Sequence, residues 1–151
     1  MSENARYLSA VFPIIMKAEG GKTLILLHRR QNTGYQDGKW DISGSGHVVD
    51  GETPRMAAVR ECGEELGIEV RTEDLAFAHL SHRFSNRTYY DIYFVVERYQ
   101  GNPAIIEPDK CSELAWFDID QLPADMIECR RLALGDVLAG KTYRERTEDK
   151  I

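Results

Sequence analysis

A chain of 151 residues, 42% hydrophobic and 29% charged, is long enough to bury a core and has the make-up of a single globular domain. A formal net charge of −6 argues against the basic surface of a nucleic-acid polymer binder, but not against a small phosphorylated ligand met by local cations. Cys62, Cys111 and Cys129 form no CxxC pair, which argues against a disulfide framework and gives no zinc signal. The N-terminus lacks a signal-peptide pattern, and the apolar runs at 10–16 and 24–27 are too short to span a bilayer. A cytoplasmic protein with no membrane partner is the expectation.

In chain order, residues 8–17 read as a strand, 19–22 as a turn and 23–28 as a second strand, together a hairpin. A polar loop over 29–39 follows, with Arg29, Arg30 and Lys39 around it as candidate contacts to an anionic substrate. Trp40 leads into a Gly-rich stretch, and 47–49 reads as a short strand. Thr53 and Pro54 then suit the N-cap and first position of a helix that should run to about Leu66. Gly67 fits the left-handed position that closes it. Further strands are expected over 68–70, 75–84, 88–99, 104–106 and 113–117, and a second amphipathic helix over 124–139. The packed region is expected at about 5–140, followed by a charged tail over 141–151. Strands and helices intermixed in this way predict an α/β (α+β) fold with a mixed sheet.

The first helix carries most of the chemistry. Positions i, i+3 and i+4 share a helix face, so Glu61, Glu64 and Glu65 crowd three like charges together unless a cation sits among them. At about 100° per residue, Met56, Val59, Cys62, Gly63 and Leu66 fall on one half, expected to pack on the core. Ala57 and the three glutamates fall on the other half, expected to face water or a ligand.

Residues 46–68 match the signature Gx5Ex7REUxEExGU, where U is apolar: Gly46, then Glu52, then Arg60-Glu61-Cys62-Gly63-Glu64-Glu65-Leu66-Gly67-Ile68. By it the chain is identified as resembling the Nudix hydrolase superfamily, in its MutT-like form. Cys62 stands where Leu, Ile or Val is usual, and buried cysteine behaves as a small hydrophobe. Arg29 and Arg30 through Trp40, and Trp116-Phe117 before Leu122-Pro123, are similar to flanking elements of that family. The resemblance implies a Nudix fold, a mixed β-sheet sandwiched between helices with this box as loop–helix–loop.

It also implies an enzyme, a pyrophosphohydrolase in which water attacks a phosphorus of a nucleoside diphosphate linked to X. Mg²⁺, with Mn²⁺ as a possible substitute, would be the cofactor, since hard cations prefer oxygen ligands. By resemblance, Glu64 and Glu65 are the foremost metal ligands, with the Gly46 carbonyl and Glu61 as further ones; Glu61 is alternatively the general base. Arg60 would orient a box glutamate, and Glu52 would brace the loop onto the helix. Glu107 is favoured over Glu113 and Glu97 for the additional loop carboxylate that some members supply. His47 is placed near the phosphates, and Trp116 is the candidate aromatic against a base.

The leading expectation is hydrolysis of a nucleoside triphosphate, oxidised or non-standard ones included, to the monophosphate and pyrophosphate, by a monomer or homodimer. A nucleotide-sugar or other diphosphate hydrolase is an alternative. So is an isopentenyl-diphosphate isomerase-like activity, because residues 40–51 are similar to that branch; but it places a catalytic cysteine where Ser45 stands here. A non-catalytic ligand sensor is a third alternative, and the complete set of box carboxylates speaks against it.

Overall fold

The computed structural model describes residues 2–147. The chain forms nine strands and two α-helices among these residues, an α+β architecture whose strands divide between two sheets. The first sheet is mixed, in the order β5-β1-β7-β6-β9: Gly46–His47, Leu8–Ile14, Thr88–Val96, Leu75–Phe84 and Tyr143–Thr147. β1 runs parallel to β7, β7 antiparallel to β6, and β6 parallel to β9. In the second sheet β3 (Lys22–Arg30) is central and antiparallel to β2 (Met16–Glu19), β4 (Trp40–Ile42) and β8 (Cys111–Asp118).

The strand expected over 8–17 is therefore two. β1 ends at Ile14 and β2 begins at Met16 in the other sheet, while Leu26 N–H donates to the Ile15 carbonyl at 3.0 Å between them. The β2–β3 hairpin turns on Gly20 and Gly21, both at positive φ (60° and 77°), as a two-residue turn matching the strand twist requires.

Period-2 alternation sorts the strands onto two cores. Val11, Ile15, Leu26, Phe94 and Val96 pack with Ala57, Ala58, Cys62 and Leu66 of the box. Ala10, Phe12, Ile14, Ile25, Leu27 and Tyr93 pack with Ala133 and Leu134 of the second helix. Apolar side chains on both faces of β1 and β3 thus put one helix on each side.

α1 spans Pro54–Glu61, with Thr53 as its N-cap, and a π-helical turn over Cys62–Leu66 continues it to Gly67 at φ 69°. Its buried face is rotated from the expected one. Ala57 and Ala58 are fully buried while Met56 is 48% exposed. The two alanines let the helix backbone approach the sheet closely. That rotation draws Glu61, one turn on, into the buried side.

α2 spans Glu128–Leu138 and starts later than expected. Ile127 N–H is bonded to the Trp40 carbonyl, which holds the preceding residues extended. Residues 68–70 reduce to one bridge, Glu69 to Gln100. Residues 104–106 form no strand; instead Ala104 and Ile106 N–H groups donate to the Leu66 and Glu65 carbonyls, satisfying acceptors that a helix end leaves over.

The charged tail contributes the edge strand β9, so ordered structure continues past residue 140; its last part, 148–151, lies outside the described residues. Arg144 and Arg146 hold β9 down by pairing with Asp136 of α2 at 3.0 and 2.6 Å. Hydrogen bonds from those arginines bring the Asp136 carboxyl down to about 2. A depressed folded-state value stabilises above the ordinary carboxylate pKa, and the contribution fades as pH falls through the folded one. Amide protection of residues 143–147, normalised to intrinsic exchange, should therefore drop between about pH 3.8 and about 2. Asp136→Asn should show the loss already at neutral pH, and unchanged protection in that variant would remove this tether from the fold.

Candidate active site

Gly46 enters from β5, where it pairs with Val11. A Cβ at Gly46 would run into the Glu61 carboxyl group, so only glycine lets the β5 backbone lie against that side chain. The loop that follows is closed by Glu52, whose Oε1 accepts from Val49 N–H at 2.9 Å.

Arg60 gathers the box. Its Nε and Nη2 donate to Glu52 at 3.1 and 2.7 Å, a two-pronged contact. Its Nη1 donates to Glu61 at 2.6 Å and Glu64 at 3.3 Å, and Nη2 also reaches the His47 carbonyl at 3.0 Å. One guanidinium thus ties the loop before the helix to the carboxylates on it.

Electrostatics divide these carboxylates. Arg60 and the Val49 N–H hold Glu52 below its ordinary range. Burial pushes Glu61 up, against the pull of Arg60. Burial, then the neighbouring charges of Glu61, Glu107 and Asp41, push Glu65 up to about 9. Burial lifts the Cys62 thiol to about 12, so that residue is a packing group rather than a nucleophile.

The box faces a cleft of about 770 Å³. Gly46, Arg60, Glu61, Glu64, Glu65, His47, Arg30 and Glu107 line it together. Glu107 comes from the loop that crosses the helix end, and of the three loop carboxylates weighed it is the one lining the cleft. Glu113 instead faces Arg29 at 3.8 Å, and Glu97 follows β7 with its N–H on the Asp74 carbonyl.

Three expected substrate contacts need correcting, for they do not line the cleft. Arg29 points the other way along β3, to Asp125 at 3.2 Å and over the Trp40 ring. Trp116 packs against the first core cluster beneath Lys17, because its β8 position opposite Leu26 faces that side. Lys39 ends the 31–39 loop, and its contribution there is its backbone, bonded to Arg30 and Gln36.

At the opposite end of the cleft sequence reading named Arg30, which does line it, and missed the residues joined to it. Arg30 pairs with Asp41 at 3.1 Å, Asp41 with Arg130 at 3.1 Å, Arg130 with Asp91 at 3.3 Å, and Asp91 with Arg83 at 2.6 Å. Asp41, Asp91, Arg83 and Arg130 are all buried. Burial alone would raise Asp41, but Arg130 and Arg30 outweigh it and its pKa is lowered. Tyr35 and Tyr89 lie about the same groups, with the Arg83 guanidinium 5.9 and 4.3 Å from their rings. The available signal was a charge at an inward position of an apolar run, Asp41 between Trp40 and Ile42 being the clearest. Such a charge is tolerated only when paired.

As oxygen donors, Glu61, Glu64, Glu65, Glu107 and the Gly46 carbonyl have the chemistry a hard divalent cation takes. As placed, Glu61 and Glu64 are engaged by Arg60, and no three acidic, histidine or cysteine side chains among the described residues are grouped to hold an ion. The donor set fits such a cation in kind, and turning Glu61 and Glu64 from Arg60 is the adjustment it asks for.

A sequence model of the NUDIX domain matches residues 7–135. An oxidized purine nucleoside triphosphate hydrolase of Danio rerio is 33% identical over 119 residues, 78% of this chain and 71% of that protein. The 8-oxo-dGTP diphosphatase of Escherichia coli is 33% identical over 101 residues, 66% of this chain and 77% of that one. A crystal structure of a MutT NUDIX hydrolase from Burkholderia pseudomallei superposes with a TM-score of 0.74 at 25% identity, covering 87% of this chain and 98% of that one. With the signature complete, its residues gathered by Arg60 and the match spanning most of the sequence, the chain belongs to the Nudix hydrolases and is a pyrophosphohydrolase of that family.

Proposed function

We propose that the chain hydrolyses a nucleoside triphosphate, oxidised or non-standard ones included, to the monophosphate and pyrophosphate, with Mg²⁺ or Mn²⁺ at the box. The carrying observation is the Arg60 clamp, which ties Glu52 of the loop to Glu61 and Glu64, two carboxylates that line a cleft with arginines at its far end. The names of the Danio and Escherichia relatives support a triphosphate substrate.

Glu61, Glu64 and Glu65 with the Gly46 carbonyl would hold the cation, and Glu107 would add a carboxylate from the crossing loop. When bound, the cation would supply charge neutralisation on the diphosphate. The chain's own part is positional. Arg60 keeps the carboxylates in register with the loop, and Glu52 fixes Arg60. His47, next to Gly46, faces the cleft with a lowered pKa, from burial and then from Arg83 and Arg87, and its ring can donate to a phosphate oxygen there. Glu61 or Glu107 takes the proton from the attacking water.

A panel of nucleoside triphosphates and nucleotide sugars, assayed with Mg²⁺ for pyrophosphate against phosphate, tests the reading. Pyrophosphate release from triphosphates is expected; a panel left uncut overturns it. Glu64→Gln should lower kcat by about 10²–10³-fold, as loss of an electrostatic stabiliser does. Because Glu64 is exposed, the variant's melting should move by no more than about 0.5 kcal/mol of stability. Chelation of wild-type protein should abolish turnover, and either ion should restore it. Glu61→Gln and Glu107→Gln separate the two bases: the true base loses the acid limb of the kcat–pH profile, while the other loses affinity for the cation.

A further inference from the structure

Glu107 is held between two supports. On one side its chain lies on the end of the box. Ala104 and Ile106 N–H groups donate to the Leu66 and Glu65 carbonyls at 3.1 and 3.3 Å, and Ile106 lies so close to Gly67 that a Cβ there would come within 3.1 Å of its Cδ1. On the other side Glu107 opens a tight turn. Its carbonyl accepts from the Lys110 and Cys111 N–H groups at 3.0 and 3.2 Å, and Pro108 stands where such turns favour proline.

That turn is clasped by the loop after β3. Gln31 N–H donates to the Lys110 carbonyl at 3.0 Å, one step beyond the pairing of Arg30 with Cys111 that ends the β3–β8 ladder. Side chains then take over. Gln31 Nε2 donates to the Pro108 carbonyl at 3.0 Å, Asn32 Nδ2 to the Asp109 carbonyl at 3.1 Å, and Lys110 Nζ back to the Asn32 carbonyl at 3.1 Å. The carbonyls of Pro108, Asp109 and Lys110 are thus all taken by two consecutive residues. Asn32 presents its amide from φ 54°, a left-handed conformation that asparagine tolerates better than most residues.

Directly after the clasp the same loop meets the cleft, which Thr33, Gly34 and Tyr35 line together with Glu107 and Lys110. Asp37 braces this arc, accepting from the Thr33 and Gly34 N–H groups at 3.1 and 3.0 Å and from the Thr33 hydroxyl at 2.6 Å. Arg30 Nε donates to the Tyr35 carbonyl at 2.7 Å. Arc, clasp and turn are one hydrogen-bonded piece, and Glu107 is its last residue before the box. Its charge is among those that push Glu65 up. Gln31 and Asn32 themselves do not line the cleft, so whatever they do there they do through the residues they hold.

We propose that Gln31 and Asn32 are positioning residues for Glu107: by clasping the turn over 108–110 they set where its carboxylate stands relative to the box glutamates, and so how much it adds to cation binding. This rests on the reading of the box and Glu107 as a cation site and adds the residues that aim the loop carboxylate. With the clasp opened, the chain keeps its anchor on Leu66 and Glu65 but loses side-chain bonds on the far side of Glu107, and the carboxylate spreads over more positions.

Mn²⁺ binding to the full chain, read from the free-ion electron paramagnetic resonance signal with no nucleotide present, separates this from turnover. Glu107→Gln should weaken binding by about tenfold. Gln31→Ala combined with Asn32→Gly deletes both side-chain bonds to the turn while allowing the left-handed backbone, and should weaken it by about fivefold, the worth of one hydrogen bond. The deciding measurement joins the two. In the Glu107→Gln background the loop variant should cost no more than about twofold, because the carboxylate it aims is gone. A general loosening of the cleft would instead cost the same factor in both backgrounds, and that result overturns the proposal. So does a wild-type affinity in the loop variant or in Glu107→Gln, or a wild-type protein that binds no Mn²⁺. The non-additive pattern in a protein that cuts no triphosphate sustains the proposal and counts against the hydrolase reading; triphosphate cleavage with additive losses does the reverse.

Discussion

Arg130 is the charge on which the two halves of the molecule agree. It sits on α2, and its two carboxylate partners belong to different sheets: Asp41 to β4 and Asp91 to β7. Taking these groups out of water costs several kcal/mol per ion, which is offset only while every member keeps its partner. The arrangement is thus a constraint on geometry as much as a source of stability. A shift of one sheet against the other, or of α2 against both, would strand a buried charge. The cleft lies over this junction, so its shape inherits the same rigidity.

Arg60 plays the corresponding part at the other end, in wetter surroundings. It is 30% exposed at the side chain, and its partners range from nearly buried Glu52 and Glu61 to Glu64 in solvent. A partly solvated clamp can release a carboxylate at little cost, whereas the chain through Arg130 cannot. The two ends of the cleft therefore differ in kind. The box end is adjustable and acidic, suited to taking up a cation. The floor is fixed by buried ion pairs. The rotation of α1 onto Ala57 and Ala58 supports this division by carrying Glu61 inward while leaving Glu64 at the lip.

The box was legible because its residues are near one another in sequence. Thr53, Pro54 and Gly67 mark the ends of the helical segment, and the spacing of Glu61, Glu64 and Glu65 reports a shared surface. Which surface is buried was legible only in part: Cys62 and Leu66 are buried as expected, but a period argument weighs Met56 above Ala57 by hydrophobicity, while close packing on a sheet rewards the smaller residue. Most strands were legible from composition, and β6 in its bounds. The break at Ile15 was hidden because the apolar run of β1 continues through Ile15 into Met16, while the chain changes sheet there. β9 was hidden for the opposite reason: Tyr-Arg-Glu-Arg-Thr has no core face, and what holds it is pairing with β6 and two arginines on Asp136.

The floor of the cleft was the least legible part. Arg30, Asp41, Arg83, Asp91 and Arg130 come from five elements, and no local pattern links them. Each alone resembles an ordinary surface charge, and only its place in an apolar run hints otherwise. Trp116 was attractive as a base contact because aromatic residues stack on bases. Its place in β8 settles its direction, since neighbours in a strand face opposite sides. Chemistry common to a family can be written in one contiguous segment, because a cation and a diphosphate ask the same of every member. The ion-pair chain beneath the cleft has to be assembled across two sheets and a helix, from residues whose meaning appears only once the strands are paired.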